Sequence, residues 1–325
     1  MLCLPLLLMN TFPFEVDLVF LWVDGDDPVW LEKKNRYSPT PKEEGQSEID
    51  CKGRYSDNQE LKFALRSAEL HVPWIRRIFI VTDNQQPAWL NTEHPQITIV
   101  DHKDILPAEA LPCYNATVIE HYLYKIPGLA EHFLFGNDDM FFNADFKPDF
   151  FFGQDGYPIV RLKRKYFGKW SYRMKKLIGK ELGHYAHVIR VAAQLIEQKF
   201  GVYFSGVPHH NIDAYRKSDF REAVEVVFAK EVEIAKSNRL RAFSDLQRTA
   251  FSLYALSIGH AHLKYVGRSE SSRILLYRHN FRKYMDKYHP KLFCINDNQR
   301  VQDHHRAQVE PMLTAYFPKK SAFEK

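Results

Sequence analysis

The residues best suited to chemistry lie in Phe133-Leu134-Phe135-Gly136-Asn137-Asp138-Asp139-Met140-Phe141-Phe142, where two adjacent carboxylates and an amide interrupt an apolar run. Burying such a pair without a cation or a proton is costly. An apolar strand ending in Asn-Asp-Asp therefore points to carboxylates at the mouth of a sheet, placed to hold a divalent metal beside a phosphate. A solvated turn between two strands is the plain alternative, because Asn and Asp are common turn residues. A second run, Arg161-Leu162-Lys163-Arg164-Lys165 with Lys169, Arg173, Lys175 and Lys176, is interleaved with Tyr166, Phe167, Trp170 and Tyr172. It suits nucleic acid, an anionic membrane surface or a phosphorylated or acidic glycan, and equally a solvated basic face.

The elements that must position these groups alternate along the first 150 residues. Val16 to Val23 is a β-branched and aromatic run closed by Asp24-Gly25-Asp26-Asp27-Pro28, so it reads as a buried strand entering a polar loop. Residues 33–53 are polar and Pro-containing and read as a mobile loop. Asn58 to His71 places Leu61, Ala64, Leu65 and Ala68 at helical spacing before Pro73. Strands follow over 75–82 and 97–100, with a short helix at Ala88-Trp89-Leu90 and a longer one over 117–124. This order predicts an α/β, Rossmann-like nucleotide-binding sheet with helices on both faces, whose strand ends gather Asp24, Thr82 and Asp138. Residues 180–200 and 213–260 read as largely helical. The chain thus divides into an α/β half, 1–150, and a mostly helical half, 151–325, packed as one catalytic unit.

At 325 residues with 45% hydrophobic and 14% aromatic content, the chain can bury a sizeable core, and its net charge of +5 is small. Cys3, Cys51, Cys113 and Cys294 form neither a CxxC pair nor a zinc-ligand spacing, so a reducing cytoplasm is expected. Leu2 to Met9 is shorter than a membrane span and lacks a basic leader. It reads as a frayed or packed terminus, with peripheral contact at the inner face of the plasma membrane left open. Neither GxGxxG nor GxxxxGK[ST] is present, which argues against a dehydrogenase or a P-loop NTPase.

Four segments together resemble the conserved regions of the Stealth family of sugar-1-phosphate transferases, whose members include capsular polysaccharide phosphotransferases and the lysosomal-targeting GlcNAc-1-phosphotransferase. They are Asp17 to Pro28; the stretch Arg54 to Phe142 with Asn58 to Ser67, Ile78 to Leu90, Asn115 to Glu120 and Asn137-Asp138-Asp139; Pro208 to Asp213 with Arg241 and Gln247; and Cys294 to Asn298. The resemblance implies a glycosyltransferase-A-like fold. It implies transfer of a hexose-1-phosphate from a UDP-sugar to a glycan hydroxyl in capsule or exopolysaccharide synthesis, releasing the nucleoside monophosphate. The compact length favours a bacterial enzyme.

By the same resemblance, Glu120, Asp139, a histidine of the His209–His210 pair and Arg241 are catalytic. Asp138 and Asp139 would hold Mg²⁺ or Mn²⁺ against the diphosphate. Donor-binding roles fall to Asp24, Gly25, Arg54, Asn58, Arg66, Asn115, Asn296 and Asp297. The family's His-x-Pro is replaced by Pro208-His209-His210-Asn211, which leaves either histidine as the general base, and Tyr114-Asn115-Ala116 stands where Phe-Asn-Ser is commoner. No nucleic-acid partner is expected. Two other functions fit the residues: a metal-dependent glycosyltransferase releasing UDP, and a non-catalytic glycan-binding module using residues 161–176.

Overall fold

The computed structural model describes residues 13–38, 48–179 and 182–325. The Leu2–Met9 stretch, Cys3 and residues 39–47 of the expected loop lie outside them. The strands, in chain order, are β1 (Val16–Leu21), β2 (Ile78–Thr82), β3 (Ile97–Asp101), β4 (His132–Asn137), β5 (Met140–Phe142), β6 (Ile159–Arg164), β7 (Gly206–Pro208), β8 (Asp213–Arg216), β9 (His262–Tyr265), β10 (Ser271–Leu275) and β11 (Leu292–Asn296). The central sheet has the order β3-β2-β1-β4-β8. Its first four strands are parallel and β8 closes the edge antiparallel.

Every residue of β1 is buried, as expected of a parallel strand covered on both faces. Val16, Leu18, Phe20 and Trp22 pack into one core with the Glu60–His71 helix. Val19 and Leu21 face a second core, which receives the Ala116–His121, His184–Phe200, Lys217–Glu222 and Thr249–Ser257 helices. The α/β sheet with helices on both faces is therefore what the sequence pattern predicts. Leu21 aligns with Val81 on β2 and with Asn137 on β4, so the carboxyl ends of these strands share one edge. At that edge the chain turns from β4 through Asp138-Asp139 into β5, which leaves the central sheet and pairs antiparallel with β11.

Several local expectations change. Asp27 accepts the backbone N–H groups of Val29 (2.9 Å) and Trp30 (3.4 Å), so the polar loop is in fact the capped start of a Pro28–Asn35 helix. That helix enters the segment read as mobile, and its Lys34 pairs with Asp50 at 3.0 Å. Ala88-Trp89-Leu90 is not a helix but a turn ending in a β-bridge from Leu90 to Glu324. Residues 213–216 are strand: Ala214 enters one core and Tyr215 the other, an alternation too short to outweigh the helical signal downstream. Two small sheets also stand among the helices of the second half: β7-β6-β9, and β10-β11 with β5 added from the first half.

Candidate active site

A cavity opens at the shared strand edge, lined by Glu60, Asp138, Asp139, Arg54, Arg241 and His210 among others. Asp138 and Asp139 occupy the corner between β4 and β5, and Glu60 begins the Glu60–His71 helix. Glu60 accepts both the backbone N–H (2.6 Å) and the Nδ2 (2.7 Å) of Asn58. The Cys294 thiol donates to Asp139 Oδ2 at 3.1 Å, whereas Asp139 Oδ1 is buried without a partner. Among the described residues, Glu60, Asp138 and Asp139 make no salt bridge. Burial pushes the Asp139 carboxyl up to about 6 and Glu60 up to about 8. Burial, with Glu60, Asp139 and Asp57 adding like charge, holds Asp138 well above the ordinary carboxyl range. The orphaned Asp139 oxygen beside Asp138 is of the kind that would suit a divalent ion bound through oxygen.

Cationic groups in the same cavity fall into two kinds. Arg248 is fully engaged, bonding Glu120 Oε1 (3.1 Å), Asp213 Oδ2 (3.3 Å) and Tyr215 Oη (3.1 Å). Burial opposes its charge, but Glu120, Tyr215 and Asp213 outweigh that and raise its pKa further. Glu120 thereby keeps one oxygen paired, and its buried Oε2 has no partner. Arg241 has no hydrogen bond or ion pair among the described residues, and burial followed by the neighbouring Arg54 lowers its pKa to about 10. Among the described residues, the Arg54 guanidinium donates only to the Glu48 carbonyl (2.9 Å), and its buried Nε is unpartnered. Guanidiniums left without anions beside carboxylates left without cations are what a metal-bound diphosphate would complete.

The two histidines separate cleanly. His209 is fully buried, with Nδ1 at 2.9 Å from Ser271 Oγ and Nε2 at 2.9 Å from Asp213, so both nitrogens are used. His210, at φ 61°, turns into the cavity and reaches Tyr185 Oη from Nδ1 at 3.4 Å. Burial, then Arg273 and Arg248, push its pKa well below 6.5, which keeps the ring neutral at ordinary pH.

The remaining expected residues are placed as follows. Asn296 and Asp297 reach the cavity from the end of β11, and Arg306 grips both carboxylate oxygens of Asp297 at 2.7 and 3.1 Å. Asp24 and Gly25 sit beside the cavity; a Cβ at Gly25 would collide with the Tyr55 carbonyl, so glycine permits that close approach. Asn58 acts through Glu60. Asn115 is wholly buried and caps the Ala116–His121 helix, donating to the Asn238 and Leu240 carbonyls and to Asp245 at 2.9 to 3.3 Å. It holds the segment bearing Arg241 and presents nothing to a sugar. Arg66 lies apart, paired with Glu324 through two bonds of 2.7 Å and bonded to the Phe317 carbonyl.

Away from the cavity, His279, His304 and His305 bring ring nitrogens within 4.8 Å. His305 Nδ1 accepts the Gln302 N–H at 3.0 Å, which places its proton on Nε2 and spends the lone pair a metal would need. Of the basic run, Arg161 is buried against Glu270 at 2.9 Å, while Tyr166, Phe167 and Trp170 are exposed.

Residues 14–40 match Stealth protein conserved region 1 and residues 54–160 match conserved region 2. A capsular polysaccharide phosphotransferase of Haemophilus influenzae is 33% identical over 95% of this chain and 85% of its own length. A second, from Actinobacillus pleuropneumoniae, is 32% identical over 93% of this chain and 82% of its own. The chain belongs to the Stealth family. It is a transferase, as those phosphotransferases are. An exopolysaccharide phosphotransferase of Streptomyces coelicolor is 32% identical over 97% of this chain, which spans 52% of that longer relative. Among solved structures, the galactosyltransferase LgtC with donor and acceptor sugar analogues overlays at a TM-score of 0.45 and 13% identity, covering 94% of this chain and 96% of that one.

Sequence reasoning about this Stealth enzyme missed Glu60, Arg248 and Tyr185. Glu60 lies inside the Asn58 to Ser67 segment and Arg248 directly follows Gln247, yet a single charged residue at a helix start carries no sign of burial in its pattern. Nothing in the sequence marks Tyr185.

Proposed function

We propose that the protein transfers a hexose-1-phosphate from a UDP-sugar to a glycan hydroxyl, forming a phosphodiester and releasing UMP, in the synthesis of capsule or another exopolysaccharide. The observation that carries this reading is the pairing, in one cavity, of uncompensated carboxylates (Glu60, Asp138, Asp139) with uncompensated guanidiniums (Arg54, Arg241) beside a neutral His210. Mg²⁺ or Mn²⁺ held by Asp138 and Asp139 would neutralise phosphate charge.

The protein's own residues do the rest. In the tautomer whose Nδ1–H is donated to Tyr185 Oη, His210 Nε2 presents a lone pair and accepts the proton of the acceptor hydroxyl. The hydroxyl oxygen bonds to the sugar-proximal phosphorus as the bond from that phosphorus to the bridging oxygen breaks. That oxygen leaves with the nucleoside monophosphate. Arg54 and Arg241 hold charge shifting onto the phosphoryl oxygens. Glu120 and Asp213 fix Arg248 in the cavity wall.

The metal-dependent glycosyltransferase alternative would use the same carboxylates but attack the sugar carbon. Chromatography of the nucleotide after incubation with a panel of UDP-sugars, Mg²⁺ and glycan acceptors separates them. UMP together with a new phosphodiester signal in phosphorus NMR is the expected outcome, and UDP would sink this reading.

A further inference from the structure

Residues 166–178 hold the densest run of exposed large apolar side chains in this protein: Tyr166, Phe167, Trp170, Met174, Leu177 and Ile178, with Phe167 83%, Leu177 79% and Trp170 62% accessible. The other exposed side chains of this kind are spread along the chain. Trp170, Met174 and Leu177 recur at i, i+4 and i+7 of the Trp170–Leu177 helix, and Ile178 extends the same stripe, its backbone N–H donating to the Met174 carbonyl at 3.1 Å. The stripe points away from the body of the protein. Tyr172, on the opposite side of the helix, is the residue turned inward: Lys165 Nζ lies over its ring at 3.3 Å, and Arg190 of the His184–Phe200 helix lies at 5.9 Å. A surface helix ordinarily buries its apolar face and shows its polar one, and this helix does the reverse.

The charge around the stripe has one sign. No Asp or Glu occurs over residues 156–180, whereas Arg164, Lys169, Arg173 and Lys175 lie on this segment, the first three exposed. Glu197 offsets Lys169 at 2.6 Å. Arg173 lies over the Trp170 ring at 5.1 Å, so a cation borders the aromatic end of the stripe. Water is a poor partner for such a patch, and a second copy of the chain packed on it would bring two basic rims together against like-charge repulsion. An anionic bilayer accommodates both features at once. Apolar side chains enter the boundary between headgroups and acyl chains, while Lys and Arg stay at the lipid phosphates. Among the described residues no helix is long and apolar enough to cross a membrane, so contact of this kind lies in the surface plane.

We propose that residues 165–178 form a docking surface for an anionic lipid bilayer, with Phe167, Trp170, Met174, Leu177 and Ile178 entering the membrane and Arg173 and Lys175 held at its headgroups. β6 lines the cavity with Val160 and Leu162 shortly before this segment, and His184, Tyr185 and Val188 line it shortly after. Docking therefore keeps the cavity close to the lipid surface. The inference does not depend on which bond the enzyme makes.

Vesicle sedimentation with the full chain tests this without turnover. The probes are vesicles of phosphatidylcholine alone and of an equimolar mixture with phosphatidylglycerol. The wild type should bind the mixed vesicles at least about 10-fold more tightly than the neutral ones, since each basic side chain near an anionic surface contributes a factor of about 5. Trp170→Ser/Leu177→Ser should lose most of the binding, and Arg173→Glu/Lys175→Glu should lose the preference for anionic lipid. Val226→Ser, which changes an exposed apolar residue elsewhere, should bind as the wild type does. A second measurement separates insertion from a helix that has merely unravelled. Brominated phosphatidylcholine in the mixed vesicles should quench tryptophan fluorescence in the wild type, and Trp170→Phe should still bind but lose that quenching. Equal binding to both kinds of vesicle, binding to neither, or quenching retained in Trp170→Phe overturns the inference. So does a dimer in sedimentation velocity that Trp170→Ser/Leu177→Ser dissolves while the wild type ignores vesicles, because the face then belongs to a second copy.

Discussion

At the scale of single residues, the structure distinguishes groups that face reactants from groups that hold them. His210 has a free ring nitrogen in the cavity, whereas His209 spends both nitrogens on Ser271 and Asp213. His210→Gln should lower kcat by about 10² to 10⁴-fold with the melting temperature near wild type. His209→Gln should instead lower the melting temperature, and a wild-type melting curve for it would contradict its assignment as a packed, hydrogen-bonded residue. This distinction was not legible in Pro208-His209-His210-Asn211, because adjacent residues in a chain turning at φ 61° point in unrelated directions and only the fold decides which faces the cavity. Asp138 and Asp139 were legible, since two carboxylates in an apolar run need a reason to be there. Their partner Glu60 was not, because it stands alone in an ordinary helix start.

At the scale of elements, the recurring device is a loop tied down by a buried polar residue. Asn115 caps one helix and holds the segment that carries Arg241, so Asn115→Ala should cost about 1 kcal/mol for the cap alone. Its larger effect should be a fall in kcat, as Arg241 loses its fixed position. Steady-state kinetics beside a denaturation curve measure both, and unchanged kcat would show that the segment is held by other means. Arg66 belongs to a different tie, joining the Glu60–His71 helix to the C-terminal segment through Glu324. Removing one partner of a buried pair is costly, so Arg66→Ala should destabilise the protein by about 3 kcal/mol while the KM for donor stays at its wild-type value. A raised donor KM with normal stability would return Arg66 to the binding site. The parallel strands were legible from their β-branched runs. Strand β8 was not, since its four residues lead straight into a helix and gain their identity only by pairing with β4.

At the scale of the whole molecule, a sheet edge concentrates negative charge that the fold does not neutralise. A carboxyl whose folded pKa lies above its unfolded value contributes stability at low pH and loses it as pH rises through the folded value. For Asp57 and Asp139, at about 6, and Glu60, at about 8, the window runs from near 4 to above 8. Mg²⁺ or Mn²⁺ should therefore raise the melting temperature of the metal-free protein more at pH 8.5 than at pH 5. The Asp138→Asn/Asp139→Asn protein should lose that increment. A cation effect that is equal at both pH values, or retained in the double variant, would show that the ion binds elsewhere.

In phosphotransfer the sugar-proximal phosphate travels with the sugar. A UDP-sugar labelled with ³²P at that phosphate, incubated with the enzyme, Mg²⁺ and acceptor, measures this directly. Phosphotransfer puts the label in the glycan, resistant to phosphatase, with unlabelled UMP released. Label remaining in UDP while the sugar appears in the glycan would contradict it.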